Sequence, residues 1–249
     1  MVTPFLQKLQ SLSSLKEETI VALRELFAEP REASAKQDLI REGDRPGPLF
    51  VILSGWACRY KILPNGSRQV MAFLMPGDAC DLNIGLLSEM DHSIQTISPV
   101  TYVTISRETM ESTMVGFPDF ARAMYIAQLA DEGILRSWII SMGRRSSLER
   151  VAHLTCELYV RATAIGLVED KELVMPLSQM MLADALGMTT VHINRVLKEL
   201  RIAGVMGLRR GALTILDPAR LVAIAGFDEN YLHRRLGTAA GLPRPPARW

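Results

Sequence analysis

The sequence predicts an α+β protein in two parts, an N-terminal β jelly-roll barrel and a C-terminal winged helix-turn-helix, joined by one long helix. Three observations carry this expectation. Short apolar runs broken by glycine and proline turns fill residues 35–106, Pro118 opens a stretch of helical periodicity reaching Met142, and Leu177 to Leu216 holds two capped helices followed by a hairpin. A length of 249 residues is enough for two cores.

In the barrel the expected strands are Leu49–Leu53, Ala57–Leu63, Gln69–Leu74 and Val100–Ile105. Glu42-Gly43-Asp44, Ser54-Gly55, Pro64-Asn65-Gly66-Ser67 and Pro76-Gly77-Asp78 supply the reversals between them. Proline fits the first turn of a helix, so Pro118 begins the long one. Phe120, Met124, Ala127, Ile134 and Trp138 fall near one face of it, a stripe that suits either a dimer seam or packing on the chain's own barrel. Gly143-Arg144-Arg145 reads as a hinge, and a second helix from Ser147 to Ala164 presents Leu148, Val151, Ala152, Leu154 and Leu158 to the recognition unit.

The C-terminal unit is read from caps and spacing. Ser178 can cap a helix carrying Met181, Leu182, Ala185 and Leu186; Gly187 accepts the left-handed backbone of a tight turn; Thr189 caps the next helix, running to Ala203. There Ile193, Val196, Leu197 and Leu200 face inward, leaving Thr190, Val191, Asn194, Arg195 and Lys198 on the other faces. Those side-chain types suit a DNA groove, since arginine bonds guanine bidentately, asparagine bonds adenine, and valine or threonine methyls pack on thymine. Val205–Leu208, the turn Arg209-Arg210-Gly211 and Leu213–Leu216 form a wing whose two cations suit phosphate oxygens. The expected DNA-contacting set is therefore Thr189, Thr190, Val191, His192, Asn194, Arg195, Lys198, Arg209 and Arg210.

Composition bounds the rest. Hydrophobic content of 48% and charged content of 22% suit a globular protein, and no apolar run approaches the ~18 residues of a membrane-span candidate. Met1 to Leu15 lacks the basic leader and unbroken apolar core of a signal peptide, so a cytoplasmic protein without membrane association is expected. A net charge of +1 argues against a polybasic coat. Residues 1–145 hold 15 Lys+Arg against 17 Asp+Glu and residues 146–249 hold 13 against 10, a small asymmetry of the sign expected for DNA binding. Cys58, Cys80 and Cys156 lack the spacing of a zinc site or a disulfide framework, and the four histidines are scattered.

Glu42-Gly43-Asp44, Leu49-Phe50-Val51-Ile52-Leu53-Ser54-Gly55 and Pro76-Gly77-Asp78, followed by Leu182-Ala183-Asp184-Ala185-Leu186-Gly187-Met188-Thr189 and Asn194-Arg195-Val196-Leu197, resemble the Crp/Fnr family of bacterial transcription regulators over residues 20–226. The resemblance implies a cyclic-nucleotide-binding-like barrel and a homodimer that binds double-stranded DNA at a palindromic operator and works with RNA polymerase. It also implies that Thr190, Val191, Asn194 and Arg195 occupy the base-reading positions. Only Arg195 keeps the family's commonest type there, so operator sequence does not carry over.

The barrel departs from the family's cyclic-nucleotide cassette, a Gly-Glu pair followed by Arg-Ser. Here the stretch reads Cys80-Asp81-Leu82-Asn83-Ile84-Gly85-Leu86-Leu87 and then Asp91-His92-Ser93, with no guanidinium at the phosphate position. That omission argues against cyclic AMP. No cysteine precedes Cys58, which argues against the family's N-terminal iron–sulfur cluster. Asp81, Asn83, His92 and Ser93 are the candidate effector-pocket residues; His92 offers a pH-dependent charge beside Asp91, a haem ligand, or a hydrogen bond within a turn. Control by an unidentified signal at the barrel, or by abundance alone, is expected.

The expected domains are a barrel with flanking helices over 1–116, the long dimerisation helix and hinge over 117–143, the winged helix-turn-helix over 144–227 and a tail over 228–249, where Pro243, Pro245 and Pro246 suggest mobility. Two rivals stand beside this non-enzymatic reading. A cupin-type metalloenzyme needs several histidines, of which the barrel offers only His92, and a ligand-controlled protein-interaction module has no evident use for Arg195, Lys198 and a basic wing.

Overall fold

The structure is a computed structural model that describes residues 3–27, 29–80, 87–209 and 211–234. Two helices lead, α1 (Pro4–Leu12) and α2 (Glu17–Glu25). The Thr3 hydroxyl caps α1 by accepting the Leu6 N–H at 3.3 Å, and Phe5, Leu6 and Leu9 bury its inner face. Eight strands follow: β1 (Arg31–Ala33), β2 (Asp38–Ile40), β3 (Leu49–Ser54), β4 (Ala57–Ile62), β5 (Arg68–Leu74), β6 (Ala79–Cys80), β7 (Ser93–Thr96) and β8 (Val100–Ile105). They form two antiparallel four-stranded sheets, ordered β1-β8-β3-β6 and β2-β7-β4-β5. Ile52, Leu74, Ile94 and Val100 meet between them, as the alternation of apolar residues in a two-sheet roll requires.

Helix α3 (Arg107–Gly116) leads into α4 (Pro118–Arg144), whose 27 residues span about 40 Å at the usual helical rise. Helix α5 (Ser147–Ala164) begins in a capping box: the Ser146 hydroxyl accepts from the Glu149 N–H while the Glu149 carboxylate accepts from the Ser146 N–H. Then come β9 (Val168–Glu169), β10 (Glu172–Val174), α6 (Gln179–Leu186), α7 (Thr190–Ile202), β11 (Met206–Arg209), β12 (Ala212–Ile215), α8 (Pro218–Ala225) and a 3₁₀ turn at Glu229–Leu232. The wing is wider than the expected hairpin, because β9 and β10 extend it to a sheet ordered β11-β12-β10-β9.

The two parts share one core. Trp56, Cys58, Phe73 and Met75 of the barrel pack in the same cluster as Trp138 of α4 and Leu158, Leu182 and Ile193 of the C-terminal unit. Two expectations are corrected here. Phe120, Met124, Ala127, Ile134 and Trp138 are all buried inside this chain, Phe120 and Met124 against α1 and the barrel and Ile134 and Trp138 in the shared core. Helical periodicity records which face is covered and not what covers it, so this stripe is no dimer seam. The opposite face leaves Tyr125, Leu129, Ile139 and Ile140 exposed. Residues 228–234, expected to begin a tail, are docked instead, with Leu232 buried; residues 235–249 lie outside the described residues.

Candidate nucleic-acid interface

Local hydrogen bonds shape the helix-turn-helix. The Ser178 hydroxyl accepts the Met181 N–H at 3.2 Å, and α6 buries Leu182, Ala183, Ala185 and Leu186. Gly187 turns the chain at φ +63°, where a side chain would be strained. The Thr189 hydroxyl then accepts the His192 N–H at 3.2 Å, and α7 buries Ile193, Val196 and Leu200 against α5 and α6, with Leu197 half-buried. This leaves Thr189, Thr190, Val191, Asn194, Arg195 and Lys198 exposed and His192 half-buried. Among the described residues, Asn194, Arg195 and Lys198 make no side-chain hydrogen bond or ion pair within the chain. Val191 is 79% exposed, an apolar side chain with no cover on a polar face. On the wing, Arg209 is exposed and pairs in register with Ala212. Arg210 lies outside the described residues.

Arg150, which sequence reasoning missed, sets the position of this face. Its guanidinium donates to the Met142 carbonyl at 2.8 Å, to the Arg145 carbonyl at 3.0 Å and to the Leu186 carbonyl at 3.2 Å. It thereby joins the unpaired carbonyls at the end of α4 to the last turn of α6, immediately before Gly187. No local pattern marks such a residue, because its partners come from three segments.

A second polar node ties the C-terminal unit to the barrel. Asp78, 5% exposed, accepts the Met75 N–H at 2.8 Å, Lys8 Nζ at 2.7 Å and Arg161 Nη2 at 2.8 Å. Arg161 also donates to the Phe73 carbonyl at 3.0 Å. Burial works to raise the Asp78 pKa, but Lys8 and Arg161 prevail and hold it below the usual carboxylate range. Nearby Asp131 is raised by burial. Lys8, Met75, Asp78, Asp131, Ile134 and Arg161 line a cavity where α1, the barrel, α4 and α5 meet.

Of the candidate effector residues, Asp81 and Asn83 lie outside the described residues. His92 is buried, with Nδ1 2.6 Å from the Asp91 carboxylate, and the Ser93 hydroxyl accepts the Glu42 N–H at 3.0 Å, so both bond within the barrel. Among the described residues no cluster of three or more His, Cys, Asp or Glu could hold a metal. No helix of the described residues is long and apolar enough to cross a membrane.

Residues 30–115 match the family model of the cyclic nucleotide-binding domain, and residues 149–224 match that of the Crp-like helix-turn-helix domain. The chain is 27% identical over 192 residues to the nitrogen fixation regulation protein FixK of Bradyrhizobium diazoefficiens, covering 77% of this chain and 80% of that one. It is 24% identical over 206 residues to the transcriptional activator protein FnrL of Cereibacter sphaeroides, covering 80% and 82%. The solved structure of FixK2 from Bradyrhizobium japonicum has the same fold, with a TM-score of 0.70 and 21% identity over 80% of this chain and 98% of that one. With both domain types present in the order that the fold requires, the chain belongs to the Crp/Fnr family of DNA-binding transcription regulators.

Proposed function

We propose that this regulator binds a palindromic operator as a homodimer, reading bases with Thr190, Val191, Asn194 and Arg195 and gripping phosphates with Lys198, Arg209 and Arg210, flanked by Thr189 and His192. The observation that carries this reading is the outward face of α7, where asparagine, arginine and lysine stand free of intramolecular partners among the described residues. A polar recognition face kept unbonded is available for base edges at no cost in lost internal bonds. The homodimer rests on family membership and on the exposed side of α4. There Tyr125, Leu129 and Ile139 fit the alternating spacing of three and four of a helix–helix seam, with the Glu132–Arg136 pair at 3.4 Å between them. RNA polymerase as partner and a cytoplasmic location follow from family membership, and the reading is non-enzymatic. With no guanidinium at the phosphate position of the cassette, cyclic AMP is left out as the signal, which is another molecule or the protein's own abundance.

Binding titrations with Arg195→Ala test the assignment. The substitution is expected to cost about 1–3 kcal/mol and to relax preference at one base pair, whereas Arg209→Ala weakens all sequences alike and lowers the salt slope by about 1. Equal losses for Arg195→Ala on every variant of the operator would overturn it.

A further inference from the structure

The segment after α8 lies beyond the residues matched to the helix-turn-helix domain, yet it is wedged between α4 and α5. The rings of Phe227 and Tyr231 pack on His153 of α5, the first edge-on at 5.1 Å and the second stacked at 5.8 Å. The Tyr231 hydroxyl donates to Glu157 at 3.0 Å, one helical turn further along α5. Glu157 is fully buried, and its carboxylate also accepts Trp138 Nε1 of α4 at 3.1 and 3.2 Å. On α4 the absence of a side chain at Gly133 makes room: a Cβ there would stand 2.3 Å from the Tyr231 carbonyl oxygen. Tyr231 therefore touches α4 through its backbone and α5 through its ring and hydroxyl.

We propose that Phe227–Arg234 is a strap that sets the angle between the long helix and the DNA-binding unit, with Tyr231 and Glu157 as positioning residues for the recognition helix. Helices α4 and α5 are joined by only Arg145 and Ser146, a link too short to separate them but without the bulk to fix their angle. Cross-bonds fix it. Helix α7 packs on α5 and moves with it. A dimer that engages two half-sites at once needs that angle held, whereas one winged helix on one half-site does not. The DNA arm of the test rests on the homodimeric reading; the exchange arm does not.

The test uses the full chain with Tyr231→Ala and, as a second variant outside the DNA-binding unit, Gly133→Ala. Amide hydrogen exchange over residues 141–147 is expected to rise about tenfold in Tyr231→Ala, the factor corresponding to one buried hydrogen bond, and by a similar factor in Gly133→Ala, whose Cβ pushes Tyr231 off its seat. Affinity for a two-half-site duplex should fall by about the same factor while that for a single half-site stays unchanged, a split that general destabilisation does not give. Tyr231→Phe, which keeps the ring but loses the same hydrogen bond, should show a comparable rise in exchange. Exchange at the hinge within about twofold of the parent in both variants would overturn the strap, as would equal losses on single and double half-sites. If exchange rises while the parent protein itself binds single and double half-sites equally, the strap stands and the palindromic reading fails.

Discussion

Replacing Asp78 by asparagine removes a carboxylate shared by α1, the barrel and α5. In the parent protein it bonds Lys8 at 2.7 Å and Arg161 at 2.8 Å, and the side chains of Arg161 and Asp78 are 13% and 7% exposed. Breaking a buried ion pair by removing one partner costs about 3–5 kcal/mol, because the remaining charges lose their compensation. Two features set the expectation at the lower end, about 3 kcal/mol: Lys8 keeps 20% exposure, and Asp131, whose pKa burial and Asp78 raise, stands near the same two cations and offers them a second carboxyl group. Since the Asp78 pKa is depressed in the fold, the unfolded chain binds more protons in the window between the two values. The stabilisation is therefore complete above the unfolded value near 3.9 and is lost as pH falls through the lower folded one. Urea unfolding followed by fluorescence of buried Trp56 and Trp138 measures both effects. A loss under about 1 kcal/mol at pH 7, or a gap between parent and variant that does not narrow below about pH 4, would show that the carboxylate does not hold these elements together.

Three further outcomes are expected. Burial, aided by Arg145, lowers the His153 pKa to about 4, so the folded state keeps it neutral and loses up to about 3 kcal/mol as pH falls from 6.5 to 4; His153→Phe should flatten the unfolding free energy over that range. Ile139→Asp should yield a folded monomer by sedimentation, because Ile139 is 66% exposed, whereas Met124→Asp, at a site 1% exposed, should unfold the chain. A dimeric Ile139→Asp protein would move the seam away from this face of α4. Gly187→Ala should lower stability by about 1 kcal/mol in thermal melts through backbone strain alone, since open space surrounds the position; an unchanged melt contradicts the left-handed turn.

The legibility of this chain tracks the range of the forces involved. Caps act within four residues, so Ser178, Gly187 and Thr189 delimit α6 and α7 in the sequence alone, and Pro118 marks the start of α4. Strands of two to four residues such as β6, β7 and β9 are too short to display alternation and escape a sequence reading. The stripe on α4 is visible while its partner is not, because burial by one's own barrel and burial by a second copy leave the same pattern. Asp78 and Arg161 stand 83 positions apart and meet only in the fold. Phe227, Tyr231 and Leu232 carry the spacing of one helical face, but the proline-rich end of the chain obscures it. On the outward face of α7 the residue types are legible, and the fold adds that Asn194, Arg195 and Lys198 are exposed and, among the described residues, make no side-chain bond within the chain.

Binding of a symmetric DNA site is tested most directly by selecting bound duplexes from a random pool with the purified full chain, with and without cell extract. The expected result is enrichment of a palindrome whose half-sites lie about one helical turn, roughly 34–36 Å, apart, with affinity that falls steeply as salt rises. No enriched sequence under either condition would contradict the assignment of this chain as a dimeric, sequence-specific regulator.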